Sequence, residues 1–216
     1  MGGTRFTVIQ LPENKGLGNA LRIAVNACSY ELIARMDSDD IAMEERFEEQ
    51  LRYFKAYPET DILGGDIDEF IDDVWNVVGR RVVPTGNNEI RQYIKKRCPF
   101  NHMTVIYKKS AVQAVGGYRD WFWNEDYYLW IRMYLKNAMM ANTGTVLVKA
   151  RVGKDMYKRR GGQKYFESEV RLQRYMFRHH MINTPTYIDN VVKRFVIQKL
   201  LPDNVRGWVF QKFVRK

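Results

Sequence analysis

The spacing of hydrophobic positions changes repeatedly along the chain, and each change marks a predicted element. Residues 6–11 form a short apolar run of strand character, followed by the loop Pro12-Glu13-Asn14-Lys15-Gly16-Leu17-Gly18-Asn19. Leu21, Ala24, Val25 and Cys28 then share one face of a helix predicted over residues 20–29, with Asn19 as its cap. Residues 32–36 read as a buried strand. Met43, Phe47, Leu51 and Phe54 recur at helical spacing before Pro58, and residues 61–73 return to strand character, with Gly64-Gly65 marking a bend or a close backbone approach. Val77-Val78 and Val82-Val83 can pair as a hairpin across Gly79-Arg80. Further on the pattern predicts a helix over 88–96 with Ile90 and Ile94 inward, a strand over 103–108 and a short helix over 110–115 ended by Gly116-Gly117. A helix over 127–137, a strand over 139–151 and a helix over 165–181 complete the body. Ile188, Val191, Val192, Phe195, Val196 and Leu200 make a last helical stripe, which suits a face packed on the domain or an interfacial helix. Strand, glycine-bearing loop, helix and strand compose a βαβ unit, so the expectation is an α/β fold.

Two acidic clusters carry the candidate chemistry. Asp37-Ser38-Asp39-Asp40 stands at the carboxyl end of the predicted 32–36 strand, where open α/β sheets bind ligands. Three neighbouring carboxylates are costly unless neutralised, and hard divalent cations take oxygen ligands of this kind. A solvated turn capping the helix near Met43 accounts for the same residues. The second cluster, Glu125-Asp126, follows Trp121-Phe122-Trp123-Asn124. Aromatic faces suit sugar rings as well as cores, and Asp126 suits a helix cap as well as a general base. The loop of residues 12–19 can offer backbone N–H groups to phosphate, although it matches neither the dinucleotide fingerprint nor the P-loop. Lys154, Lys158, Arg159 and Arg160 make a second, cationic loop able to close over a diphosphate.

Composition narrows the classes. No segment of the 216 residues approaches the ~20 apolar positions of a membrane-spanning helix. Two cysteines, Cys28 and Cys98, supply neither a disulfide framework nor a metal quartet, which suits a reducing compartment. The net charge of +10 is lopsided: residues 149–216 carry 17 Lys and Arg against 5 Asp and Glu, whereas residues 1–148 carry 18 against 20. The basic third therefore expects an anionic surface, phospholipid or nucleic acid, unless it is simply solvated. Its end interleaves Trp208, Val209, Phe210 and Phe213 with Arg206, Lys212, Arg215 and Lys216, a pattern of membrane interfaces that ranks nucleic acid lower.

Asn14-Lys15-Gly16-Leu17-Gly18-Asn19-Ala20-Leu21 with Asn26, Ala34-Arg35-Met36-Asp37-Ser38-Asp39-Asp40, and Asn124-Glu125-Asp126-Tyr127-Tyr128-Leu129-Trp130 occur in an order that resembles glycosyltransferase family 2, particularly bacterial enzymes of surface polysaccharides. The resemblance covers nearly the whole chain. It implies a GT-A (Rossmann-like) mixed sheet flanked by helices, with C-terminal amphipathic helices. It implies a partial catalytic domain over 1–162, with a donor half over 1–75 and an acceptor half over 76–162, and a basic helical segment over 163–216. By the same resemblance Asp37 lies near the ribose and Asp39 coordinates Mn²⁺ or Mg²⁺, with Asp37 as second ligand and Asp40 supporting. Asn14, Gly16, Asn19 and Arg159 would contact the donor, Asp126 would act as base, and Glu125, Trp121 and Trp123 would hold the acceptor. The implied reaction is inverting transfer from a nucleotide sugar, a UDP-sugar, to a saccharide or lipid-linked acceptor at the inner face of the plasma membrane. The alternative is a non-catalytic fragment that binds membrane or a partner. Residues 6–11 resemble the family's third strand, so the chain is expected to lack the family's first strand-helix-strand, which holds the nucleobase, and to leave sheet edges unpaired. A family histidine near Arg151-Val152-Gly153 has no counterpart here.

Overall fold

A computed structural model describes residues 6–153 and 162–201. Its sheet comprises β1 (Leu32–Ala34), β2 (Ile41–Ala42), β3 (Ile62–Phe70), β4 (Val77–Arg81), β5 (Ile106–Lys108) and β6 (Met140–Arg151). The order is β1-β5-β3-β6-β2, with β4 also paired to β3. β3 and β6 are parallel from Ile62↔Met140 to Phe70↔Arg151, and the remaining pairs are antiparallel. Strands on both sides bury β3 almost throughout, Asp66 and Glu69 included. β1 and β2 stand at the two ends of this order.

Seven α-helices are described: α1 (Leu17–Ala27), α2 (Arg46–Ala56), α3 (Asn87–Tyr93), α4 (Lys109–Ala114), α5 (Glu125–Leu135), α6 (Gln163–Arg178) and α7 (Thr184–Phe195), the last continuing as a π-turn, Val196–Leu200. α5 is buried on nearly every side. Its Trp130 is fully covered and meets Phe100, Tyr107 and Tyr118 edge-on or tilted. That packing anchors the helix whose first turn holds Glu125 and Asp126.

Gly64 explains the glycine pair in β3. A Cβ there would lie 2.5 Å from Asn142 Oδ1 and 2.9 Å from the Phe100 ring. Gly64→Ala is therefore expected to cost about 1–3 kcal/mol by overpacking, read as a lower urea midpoint.

Several expectations are corrected. Residues 6–11 form no strand; Phe6 and Val8 are exposed, because a strand needs a neighbour and none of the described strands pairs with them. α1 starts at Leu17 with Gly16, not Asn19, at its cap. The 77–83 hairpin does not form: β4 pairs with β3 instead, where Arg80 meets Asp68 at 2.6 Å. α2 keeps Phe54 of its expected stripe inward but leaves Phe47 and Leu51 half exposed and buries Arg46 and Gln50 instead. Of the two alternatives for the last stripe, a face packed on the domain does not form: Ile188, Val192, Phe195, Val196 and Leu200 are exposed on α7 and its π-turn.

Candidate active site

The turn after β1 is held by groups from three directions. The Arg35 N–H donates to Val105 O at 2.9 Å, while buried Arg46 donates to Arg35 O at 2.8 Å and to the Met36 thioether at 2.9 Å. Gln50 accepts from Arg46 and donates to Leu63 O and Thr104 O, so α2 fastens the acidic turn to β3. This is why α2 buries polar residues. Burial, and secondarily Arg35, lowers the Arg46 pKa to about 10, so it remains a cation at neutral pH. From the far side, the Arg151 N–H donates to Asp40 Oδ1 at 2.9 Å and its Nε to Asp39 O at 3.3 Å.

Asp37, Asp39, Asp40, Glu69 and Asp126 line one chamber of about 210 Å³, with Arg81, His102 and Arg151. It opens into a cleft of about 790 Å³, since Asp39, Arg81, Asp126 and Arg151 border both. Glu125 and Trp123 line the cleft, as do Lys96, Arg97 and Lys193. The fold thus brings the two acidic clusters together.

Arg35, two residues before Asp37 on extended chain, engages both Asp37 oxygens at 2.5 and 2.6 Å. Asp40 sits between burial and its neighbours: desolvation raises its pKa, the Arg151 N–H opposes this, and Asp37 and Asp39 raise it further. Asp40 Oδ2 is buried with no hydrogen-bond partner among the described residues. Among those residues no three His, Cys, Asp or Glu side chains could hold a metal ion by themselves. Asp39 with the free oxygen of Asp40 still fits a divalent ion, because Mg²⁺ is commonly held by one or two carboxylates while substrate phosphates and water fill its shell. Asp37, expected as the second ligand, lines the same chamber with both oxygens engaged by Arg35.

Asp126 is half-buried in the first turn of α5, on the chamber wall. Desolvation raises its pKa, against a hydrogen bond from the Tyr127 N–H at 2.7 Å and the charges of Arg81 and Arg35. A helix N-terminus favours the ionised form. Burial, then the charge of Asp126, pushes Glu125 up to about 7. One carboxyl of the pair is thus half protonated near neutrality. His102 Nε2 lies 2.8 Å from Tyr118 OH, and burial followed by Arg35 holds its pKa well below the ordinary value, leaving a neutral imidazole on the chamber wall.

The other expected residues divide. Trp123 stacks on Phe122 at 5.0 Å and holds a left-handed φ of 55°, a strained conformation that concentrates at functional sites. Trp121 is buried, donates to Ser168 O and packs on Tyr128, away from the cleft. Asn14, Gly16 and Asn19 line neither space. Asn14 Oδ1 accepts the Gly16 N–H and Asn19 Oδ1 accepts from Arg22. A Cβ on buried Gly18 would lie 2.7 Å from Arg119 O and 3.2 Å from Glu125 Cβ, so this loop packs behind the acid pair. Arg159 lies outside the described residues. Arg35, Arg46, Glu69, Arg81, His102 and Arg151 were not singled out from sequence; of these, only the i, i+2 spacing of Arg35 and Asp37 on extended chain was available as a signal.

A mixed sheet flanked by helices, with acids after β1 and at the start of α5, is the architecture of a GT-A glycosyltransferase. The chain belongs to glycosyl transferase family 2, whose model matches residues 2–122. It is 42% identical over 209 residues to an uncharacterised glycosyltransferase of Haemophilus influenzae, covering 97% of this chain and 77% of that one. It is 36% identical over 206 residues to the Escherichia coli UDP-Gal:alpha-D-GlcNAc-diphosphoundecaprenol beta-1,3-galactosyltransferase, covering 95% and 74%. The mannosyltransferase PcManGT of Pyrobaculum calidifontis, solved with GDP-Man and Mn²⁺, shares the fold with a TM-score of 0.50 and 12% identity, over 93% of this chain and 54% of that one. No described helix is long and apolar enough to cross a membrane.

Proposed function

We propose that this chain transfers a sugar, with inversion, from a nucleoside-diphosphate sugar to a saccharide or lipid-linked acceptor in the synthesis of a surface polysaccharide. The observation that carries the reading is the convergence of Asp39 and Asp126 on one chamber. A UDP-sugar is the favoured donor and a diphosphate-linked lipid the favoured acceptor, in keeping with the name of the E. coli relative. Lys96, Arg97 and Lys193 along the cleft suit an anionic acceptor.

Asp126 takes the proton from the acceptor hydroxyl as its oxygen bonds to the anomeric carbon and the bond to the diphosphate breaks on the opposite face. Glu125, carrying a proton near neutral pH, orients that hydroxyl, and Trp123 offers its ring face to the sugar. Arg81 and Arg151 stand beside the leaving diphosphate. Asp39 and Asp40 are the groups that would hold Mn²⁺ or Mg²⁺, which when bound supplies Lewis-acid stabilisation of the departing phosphate. We further read residues 1–75 as the donor half, 76–162 as the acceptor half and 163–216 as a basic segment that keeps the enzyme peripheral on the inner membrane face.

The test is a transfer assay with a panel of nucleotide sugars and a soluble sugar-diphosphate-lipid analogue. Release of UDP coupled to acceptor glycosylation, lost on chelation and regained with Mn²⁺, is expected. Absence of transfer from every donor, with vesicle binding intact, would instead favour a non-catalytic membrane-binding module.

A further inference from the structure

α7 and its π-turn are folded with their polar side inward. Buried Asn190 donates to Lys95 O and to Gln173 Oε1, both at 2.8 Å. Arg194 pairs with Glu169 and donates to Lys96 O at 2.9 Å, and Gln198 is buried one turn further on. These residues, with Lys193 and Ile197, line the cleft that carries Asp126. The opposite face presents Ile188, Val192, Phe195, Val196 and Leu200, between 39 and 61% exposed, at the i, i+4, i+7, i+8, i+12 spacing of a single stripe. Lys199 is exposed beside it, while Lys193 is paired with Asp189 at 2.7 Å along the cleft.

An amphipathic helix ordinarily turns such a stripe to a core, and a contiguous exposed apolar patch rimmed by polar groups marks a protein or membrane site. Two features select lipid. First, an apolar stripe with an exposed lysine, Lys199, beside it is the composition of helices that lie in the headgroup boundary, apolar side down and cations toward anionic phosphates. Second, described residues 162–201 carry seven Lys and Arg against three Asp and Glu, and the sequence continues beyond Leu201 with four more Lys and Arg against one Asp, among Trp208, Phe210 and Phe213.

We propose that the outer face of α7 and its π-turn, Ile188, Val192, Phe195, Val196 and Leu200, docks on a bilayer containing anionic lipid, making this helix the wall between the membrane surface and the cleft. The inner side of that wall then faces a lipid-linked acceptor without requiring it to leave the bilayer surface. The inference rests on the reading of residues 163–216 as the membrane segment and is separable from the transfer reading, because vesicle binding needs neither donor nor acceptor.

The experiment is flotation of the full chain with vesicles of phosphatidylcholine, with and without phosphatidylglycerol, comparing wild type with Ile188→Ser/Val192→Ser/Val196→Ser/Leu200→Ser. All four side chains are exposed, and an unchanged melting temperature checks the fold. The wild type is expected to float with the anionic vesicles, and the quadruple variant to bind them about tenfold or more weakly, since each lost apolar side chain removes buried area from the interface. Lys199→Glu, which leaves the apolar residues in place, is expected to weaken binding several-fold and remains informative if the quadruple variant melts early. Equal flotation of wild type and both variants would overturn the proposal. So would light scattering that shows a wild-type dimer, dispersed by the serine substitutions, with no vesicle binding.

Discussion

Asp126→Asn is expected to lower sugar transfer by ~10²–10⁴-fold, the usual contribution of a general base, while UDP binding stays at the wild-type level. Asparagine keeps the size of the side chain and an oxygen to accept the Tyr127 N–H, so the first turn of α5 retains its geometry. It removes only the group able to take the acceptor proton. The same site sets the pH profile. Asp126 must be ionised to act, and burial raises its pKa, so transfer should rise with pH along a limb displaced above the ordinary carboxylate range. Parallel measurements of transfer rate and UDP affinity separate the roles. Loss of both in equal measure would make Asp126 a structural cap.

Glu125→Gln is expected to stabilise the protein at pH 8 by as much as about 3 kcal/mol and to have little effect on stability near pH 4. The sign follows from the raised pKa. Below the ordinary value of 4.5 the carboxyl is protonated in both the folded and unfolded states. Between 4.5 and about 7 the unfolded chain gives up its proton while the folded chain holds it, so stability falls as pH rises through that window. Above about 7 the folded protein carries a carboxylate disfavoured first by burial and then by Asp126, at 1.36 kcal/mol per unit of displacement. Glutamine never ionises and escapes this cost. Urea unfolding at the two pH values measures the difference, and a difference that is the same at both would contradict it. Loss of transfer alongside the gain in stability would fit a site kept strained for function.

The parts of the site legible in the sequence were those written locally. Asp37, Asp39 and Asp40 follow an apolar strand, and Glu125 and Asp126 open an apolar helix, so position within one element marked each cluster. Their meeting is a property of the sheet: β1 and β6 lie on opposite sides of the central strand, and Arg151 at the end of β6 reaches back to the acidic turn. Two helices bury polar residues in place of apolar ones for one reason. Arg46 and Gln50 turn inward to serve the carbonyls of Arg35, Leu63 and Thr104, and Asn190 and Arg194 to serve those of Lys95 and Lys96. A buried backbone oxygen with a matching donor outweighed an apolar stripe, and no count of spacing along one helix contains the distant partner. The expected hairpin failed similarly, because Arg80 found Asp68 on β3. Trp121 and Trp123 look alike in sequence, yet one completes the core around Tyr128 and the other opens onto the cleft.

The acids after β1 are expected to form a metal-dependent site for a nucleoside diphosphate. Titration calorimetry of the full chain with UDP, in the presence and absence of Mn²⁺, measures it directly for the wild type and for Asp39→Ala. Binding that requires Mn²⁺ and is lost in Asp39→Ala is the predicted result. UDP affinity unchanged by Mn²⁺ and by Asp39→Ala, or no UDP binding by the wild type with Mn²⁺ present, would contradict it.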